Sequence, residues 1–360
     1  MNQFFIAALP ILLTSQVAFA DKAKKLSWTE LPPLPNELGL AGPFAGVHND
    51  ALIVAGGANF PSPVWEKDKV WHDRIFVLTK AGNKHVWKDG GNLLRPIAYG
   101  AAVSTSHGVV CMGGNDADKT FDDVFVLKWD ASTETVTKIK YPSLPKPCAF
   151  GAATLVGDVI YLAGGQSGQS LQTAMANSWS LDLSKKGHGI ELVWRKRSAW
   201  PGSSRALNLT IHQHNGVNDC VYVISGRRQA TPDAKSVEFL KNIWEYTPAT
   251  GEWRKRSDAP RCVMAGTGIG IGRSHIFVLG GADGSLFFQG DVLKDDHPGF
   301  PKESLAYDTI TNKWTSAGSI PRNHVTTIAV QWNDSIIIPS GEVRPRVRSP
   351  KIWSVHSARR

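Results

Sequence analysis

Apolar residues in this chain gather in short runs, six of which close on a glycine: ALIVAGG at Gly57, GVVCMGG at Gly114, VIYLAGG at Gly165, CVYVISG at Gly226, HIFVLGG at Gly281 and SIIIPSG at Gly341. Runs this short and this rich in β-branched residues predict strands buried on both faces, each ending in a sharp turn. A second strand follows five of them: RIFVL (74–78), VFVL (124–127), WSLDL (179–183), IWEYT (243–247) and SLAYD (304–308). A third strand then carries Trp87, Trp194, Trp253 or Trp314. A tryptophan at a fixed place in a repeat predicts packing between neighbouring sheets rather than a platform for sugar stacking.

The six glycines recur at intervals of roughly 50–60 residues, the period of one supersecondary unit with loop insertions. Such units stack radially, so the prediction is all-β: a six-bladed Kelch β-propeller. The last repeat has its second strand at 351–355 and no third strand after it. Leu26-Ser27-Trp28-Thr29-Glu30-Leu31, followed by Pro32-Pro33-Leu34-Pro35, matches the third-strand pattern. Residues 21–360 are therefore expected to form a single propeller, closed by an N-terminal strand pairing with the last blade.

Residues 1–20 form an apolar run without Lys or Arg that ends in Ala18-Phe19-Ala20. This pattern predicts a signal peptide cleaved after Ala20 and export, in a bacterium to the periplasm. No later run approaches 18 apolar residues, so no membrane span is expected. The 40 Lys and Arg against 31 Asp and Glu leave a formal charge of +9, which favours anionic partners. These cations are dispersed along the chain rather than gathered on one helix, which argues against nucleic acid. The two clusters Trp194-Arg195-Lys196-Arg197-Ser198 and Trp253-Arg254-Lys255-Arg256-Ser257 read as charged edge strands. Cys111, Cys148, Cys220 and Cys262 lack a framework spacing and are expected to be buried thiols. No cluster of His and Cys has metal-ligand spacing, so no metal site is expected.

The chemistry concentrates in residues 336–350, IIIPSGEVRPRVRSP, where an apolar strand breaks into a loop bearing Glu342, Arg344, Arg346 and Arg348. A carboxylate among guanidinium groups is either a solvated charged turn or an acid/base group working beside anion-binding cations. In an up-and-down blade, this loop emerges on the same face as the connections between blades. Those connections carry Arg95, Arg205, Arg261 and Arg322, each shortly before an innermost strand. Arginine there is also a loop anchor in Kelch repeats. Together with Glu342 they suggest a receptor for a small carboxylated ligand. The insertions 59–70, 227–240 and 283–303 rise on that face too, as a lid or a subunit contact.

Gly341-Glu342-x-x-Pro345-x-x-Arg348-Ser349 resembles the Gly-Glu-x-x-Pro-Gly-x-Arg-Thr motif of the exported Kelch-type sialic acid mutarotases, or N-acetylneuraminate epimerases. Arg346 stands in place of the motif's glycine and Ser349 in place of its threonine. Gly39-Leu40-Ala41-Gly42-Pro43-Phe44-Ala45-Gly46-Val47, continuing to Gly57, resembles a second block of that family. There the block follows the Glu/Arg motif, whereas here it precedes it, so the chain looks like a cyclically permuted member. The resemblance implies an isomerase that interconverts the α and β anomers of N-acetylneuraminate without a cofactor. It further implies Glu342 as general acid/base and Arg348 as the cation that orients it or holds the substrate's carboxylate. Arg95, Arg205, Arg261, Arg322 and Asn59 are further candidates for contacts to the sugar. A non-catalytic Kelch module holding a glycan or peptide in the same mouth is the alternative. A galactose-oxidase-like copper centre would need a Tyr/His set that is not recognisable here.

Overall fold

The computed structural model describes residues 26–82, 84–187 and 190–357; the expected signal peptide lies outside them. It contains six four-stranded antiparallel sheets arranged as the blades of a propeller. Blade 1 runs outward from Phe44–His48 through Ala51–Ala55 and Arg74–Ala81 to Lys84–Asn92. The inner strands of blades 2–5 are Ala101–Thr105, Ala152–Val156, Leu209–His214 and Gly268–Ile271. Blade 6 holds Val330–Trp332, Ser335–Pro339 and Ile352–Ser357, and its outermost strand is Leu26–Leu31, with Leu26 opposite Ser357 and Leu31 opposite Ile352. The sixfold repeat and the N-terminal closure are both as expected. No helix among the described residues is long and apolar enough to cross a membrane.

The glycine-terminated runs form the second strand of each blade. Ala51–Ala55 and Gly108–Met112 are buried along their whole length because blades pack against both of their faces. Ile53, Ile75 and Val77 of blade 1 thus meet Val109, Cys111 and Leu127 of blade 2. Each such side chain contributes roughly 1.5–3 kcal/mol when fully buried. The tryptophans tie the rims together through their indole N–H groups. Trp87 donates to Pro32 O at 3.2 Å, Trp194 to Pro142 O at 2.9 Å, Trp253 to Ser198 O at 2.8 Å and Trp314 to Ser257 O at 3.2 Å. In every case the acceptor belongs to the preceding blade. The second charged cluster is not wholly an edge: Arg256 is buried and donates to Tyr307 Oη and Thr309 O of the next blade. All four cysteines are buried free thiols, and burial raises the Cys148 pKa to about 12.

Around the axis, one residue per blade adopts a left-handed backbone: Gly42, Tyr99, Phe150, Leu207, Ala265 and Thr326, with φ between 52° and 63°. Each donates its N–H to the carbonyl of the residue before it in the series: Tyr99 to Gly42, Phe150 to Tyr99, Leu207 to Phe150, Ala265 to Leu207 and Thr326 to Ala265, all at 2.7–2.8 Å. Gly42 donates to Thr326 and closes the circle at 2.5 Å. Left-handed geometry costs a non-glycine residue roughly 1–2 kcal/mol. The cooperative ring of buried hydrogen bonds offsets that cost.

The same seam joins the two ends of the sequence. Gly341 N donates to Leu40 O at 2.9 Å, and the buried Ser340 hydroxyl accepts the Leu40 N–H at 2.7 Å while lying 2.8 Å from Ser349 O. Ser340→Ala leaves these groups without a partner in a site closed to water. The expected loss is about 1–3 kcal/mol in urea unfolding, and unchanged stability would mean that the ring closes without this bond.

Candidate active site

The residue after the closing glycine of each run sits at an equivalent place in every blade. These residues are Ala58, Asn115, Gln166, Arg227, Ala282 and Glu342. Each bridges to the residue just before a ring position: Ala41, Ala98, Ala149, Ala206, Met264 and Val325. Glu342 is therefore held by two backbone bonds, Glu342 N to Val325 O at 2.8 Å and Val325 N to Glu342 O at 2.9 Å. The turn that delivers it needs Gly341, whose φ is 121° and where a Cβ would stand 3.0 Å from the Val325 carbonyl oxygen and the His324 Cβ.

Glu342 and Arg348 are cross-strand partners in a small hairpin, Glu342–Arg344 against Val347–Arg348. This explains their spacing of six, since direct partners share one face of a two-stranded ribbon. Glu342 Oε1 lies 3.5 Å from Arg348 Nη1 and accepts the Arg346 N–H at 3.1 Å. Arg346, in place of the motif's glycine, nevertheless takes a glycine-like φ of 65°. Its guanidinium is held over Phe60 and Trp65, with centroids at 4.9 and 5.3 Å, and donates to Val64 O.

The Arg348 side chain is 3% exposed, lies over Phe60 at 4.8 Å and reaches Tyr99 Oη at 3.5 Å. Its Nε and Nη1 have no hydrogen-bond partner. Burial alone would lower its pKa, but Glu342 and the Tyr99 hydroxyl outweigh burial and raise it above the usual value. The guanidinium is thus a fixed positive charge beside the carboxylate, with donors still to give.

Both groups line a cavity of about 990 Å³ above the ring, walled by Phe60, Trp65 and Lys69, by residues 282–288 and by His297. The 59–70 and 283–303 insertions do rise over this mouth. They are tied to the hairpin at Asp295, which accepts from Arg344 at 2.8 Å and from the Trp65 indole at 3.3 Å. The size suits a sugar and not only water, being at the upper end of small-molecule pockets. His297 is 7% exposed; its Nδ1 accepts the Gly299 N–H at 3.0 Å, and burial, aided by Arg344 and opposed by Glu342, lowers its pKa.

The four arginines on the inter-blade connections do not reach this cavity. Arg95 pairs with Asp123 at 2.9 Å and lines a separate groove with Lys138 and Lys140. Arg205 is wholly buried, where it donates to Ser225 O and to Asn242 Oδ1, and burial lowers its pKa to about 10. Arg261 donates to Glu303 O and Cys262 O, and Arg322 is exposed. For Arg205 and Arg261 the physical reason is direct: loop carbonyls left outside the sheet ladders need donors, and arginine supplies several in a fixed plane. Asn59 is buried and structural as well. It donates to Gly39 O at 3.0 Å and meets His72 Nε2 at 2.9 Å, fixing the turn before the first blade.

One basic residue that does line the cavity, Arg227, went unremarked in the sequence. Its signal was available: it follows Gly226 as Glu342 follows Gly341.

Beneath Ser340, His324 is 2% exposed, with Nδ1 2.6 Å from Ser340 O and Nε2 without a partner. Burial lowers its pKa from 6.5 to about 4, with the Ser340 bond opposing. Between those values the unfolded chain takes a proton that the folded one refuses, so stability falls as pH drops through that window. The contribution is roughly 3 kcal/mol at its fullest. Urea unfolding at a series of pH values checks this: His324→Gln should flatten the slope, and an identical slope would clear His324 of the effect.

Residues 9–136 match the family model described as N-acetylneuraminate epimerase. Curated N-acetylneuraminate epimerases of Haemophilus influenzae (25% identical over 233 residues, 58% of this chain and 57% of the relative) and Pasteurella multocida (27% over 234 residues, 59% and 57%) are similar to it. That of Brucella suis is 38% identical over 124 residues, 30% of this chain and 31% of the relative. The aligned stretch thus spans little more than half the length of the first two. The solved structure of YjhT superposes with a TM-score of 0.65 at 14% identity, covering 91% of this chain and 99% of that one, a likeness of fold. The resemblance to N-acetylneuraminate epimerases is borne out by these matches, and the family model spans the Gly39–Gly57 block.

Proposed function

We propose that this chain interconverts the α and β anomers of N-acetylneuraminate by opening and closing the pyranose ring. The observation that carries the proposal is the Glu342–Arg348 pair, 3.5 Å apart on one hairpin and facing a sugar-sized cavity. The similarity to N-acetylneuraminate epimerases supports it.

Glu342 takes the proton of the anomeric hydroxyl. The C–O bond to the ring oxygen breaks as the ketone forms, and the ring oxygen gains a proton. Rotation about the former ring bond between the ketone carbon and the adjacent chain carbon presents the other face of the ketone, and the reverse transfers yield the other anomer. The anomeric and ring oxygens share one carbon, so a single carboxyl group spans both and can return the proton it removed. Arg348 keeps Glu342 aimed between transfers.

The two motif-bearing stretches lie far apart in sequence yet are hydrogen-bonded through Leu40, Ser340 and Gly341. That contact supports a cyclic permutation, which a closed ring tolerates because the same neighbours still touch. Export to the periplasm belongs to the same proposal and rests on residues 1–20. Secreted protein should begin at Asp21 in intact-mass analysis, whereas a retained Met1 start would refute cleavage.

The exposed Phe287 and Phe288 on the cavity wall favour a second possibility, a module that holds a larger glycan or peptide without chemistry. Anomer exchange followed by NMR separates the two. Wild type should accelerate exchange, and Glu342→Gln should lose roughly 10²- to 10⁴-fold, about 3–5 kcal/mol of barrier. Binding without acceleration would favour the module, and an unchanged rate in the variant would remove Glu342 from its role.

A further inference from the structure

Of the six equivalent positions around the axis, only two carry ionised side chains, Arg227 and Glu342, and these with Ala282 are the three that line the cavity. One blade separates them, and its residue there is Ala282, which leaves the space between the two charges open. Of the remaining positions, Ala58 has no polar side chain and the other two are occupied by their own surroundings: Asn115 contacts Gln169 and Trp71, and Gln166 donates to Gly168 O and Gln169 O. The cavity floor is therefore polarised, cation on one side and carboxylate on the other.

The basin's cations differ in how far they are committed. Arg348 sits against Glu342, and Arg346 lies over two aromatic rings and donates to Val64 O. Lys69 also has no hydrogen bond or ion pair among the described residues, but its ammonium is shared among three rings, Phe60, Trp71 and Tyr99, and lacks a guanidinium's planar fork. Among the described residues, the Arg227 guanidinium has no hydrogen bond or ion pair, and its buried Nε is without a partner. Its plane is fixed by Phe287, 4.9 Å away, and its backbone by reciprocal bonds to Ala206 at 2.9 Å. Asp283 and Asp291 also line the cavity, but neither pairs with it. Burial lowers its pKa while Glu342 opposes, and an arginine stays charged.

We propose that Arg227 receives the substrate's carboxylate and thereby selects 2-keto acid sugars over neutral ones. The proposal rests on the cavity being the sugar site. A planar, held and unpaired guanidinium takes a carboxylate through two parallel bonds. In such a sugar the carboxylate and the anomeric hydroxyl are attached to the same carbon. Seating the carboxylate on Arg227 therefore turns that hydroxyl across the gap over Ala282 towards Glu342. Arg227 sets which sugar enters and how it lies, while Glu342 moves the proton.

The test pairs a change in the protein with a change in the ligand. Exchange and calorimetric binding are measured for N-acetylneuraminate and for its methyl ester, with wild type, Arg227→Gln and Glu342→Gln, after thermal melts confirm folding. Wild type should favour the acid over the ester by roughly 10- to 100-fold in kcat/KM and in affinity. Arg227→Gln should erase that preference, chiefly through KM, and Glu342→Gln should lower kcat while keeping the preference in binding. If Arg227→Gln weakens acid and ester equally, or leaves the preference intact, the proposal is overturned. If wild type prefers the acid in binding but accelerates neither, Arg227 keeps its role and the reaction assigned to the site falls. Binding of neither compound overturns both.

Discussion

The structure depends on a circle of six backbone hydrogen bonds around the propeller axis. Each blade's contribution is one left-handed residue, and five of the six are not glycine. That conformation persists because the neighbours on both sides demand it. Its consequence is positional: the residue after each run's closing glycine is bridged to the residue beside the ring, so six side chains are set at equivalent places around the axis. Three of those places, Arg227, Ala282 and Glu342, line the large cavity.

Blades 4 and 6 place a cation and a carboxylate there, and the hairpin of blade 6 adds Arg348. The carboxylate is oriented from two directions, by Arg348 Nη1 and by the Arg346 N–H. The second of these requires the left-handed turn at Arg346, which cation–π contact with Phe60 and Trp65 helps to hold. Buried His324, kept neutral against the Ser340 carbonyl, supports the turn from below. Glu342 is thus fixed by elements from the first, fifth and last blades, with the long insertions rising above it.

The fold was legible because its signal repeats. Six apolar strands ending alike, a third strand missing at one end and present at the other, and tryptophans at constant offsets all describe one unit and its closure. Glu342 and Arg348 were legible as a motif, and their spacing now has a geometric cause. The inter-blade arginines were misleading for a physical reason. A sequence shows that a guanidinium lies near a mouth, but not that loop carbonyls such as Ser225 O will claim it first. Arg227 was missed because it stands in a basic run, Gly226-Arg227-Arg228, with no carboxylate beside it. Only its equivalence to Glu342, one residue past the glycine, distinguishes it.

A crystal structure with N-acetylneuraminate bound tests most directly whether this floor is where the sugar reacts. The expected result has the anomeric oxygen within hydrogen-bond reach of Glu342, about 2.6–3.2 Å, the carboxylate on Arg227, and the ring lying over Ala282. A sugar seated instead in the groove beside Arg95, or in the cavity with its anomeric carbon turned away from Glu342, would contradict it.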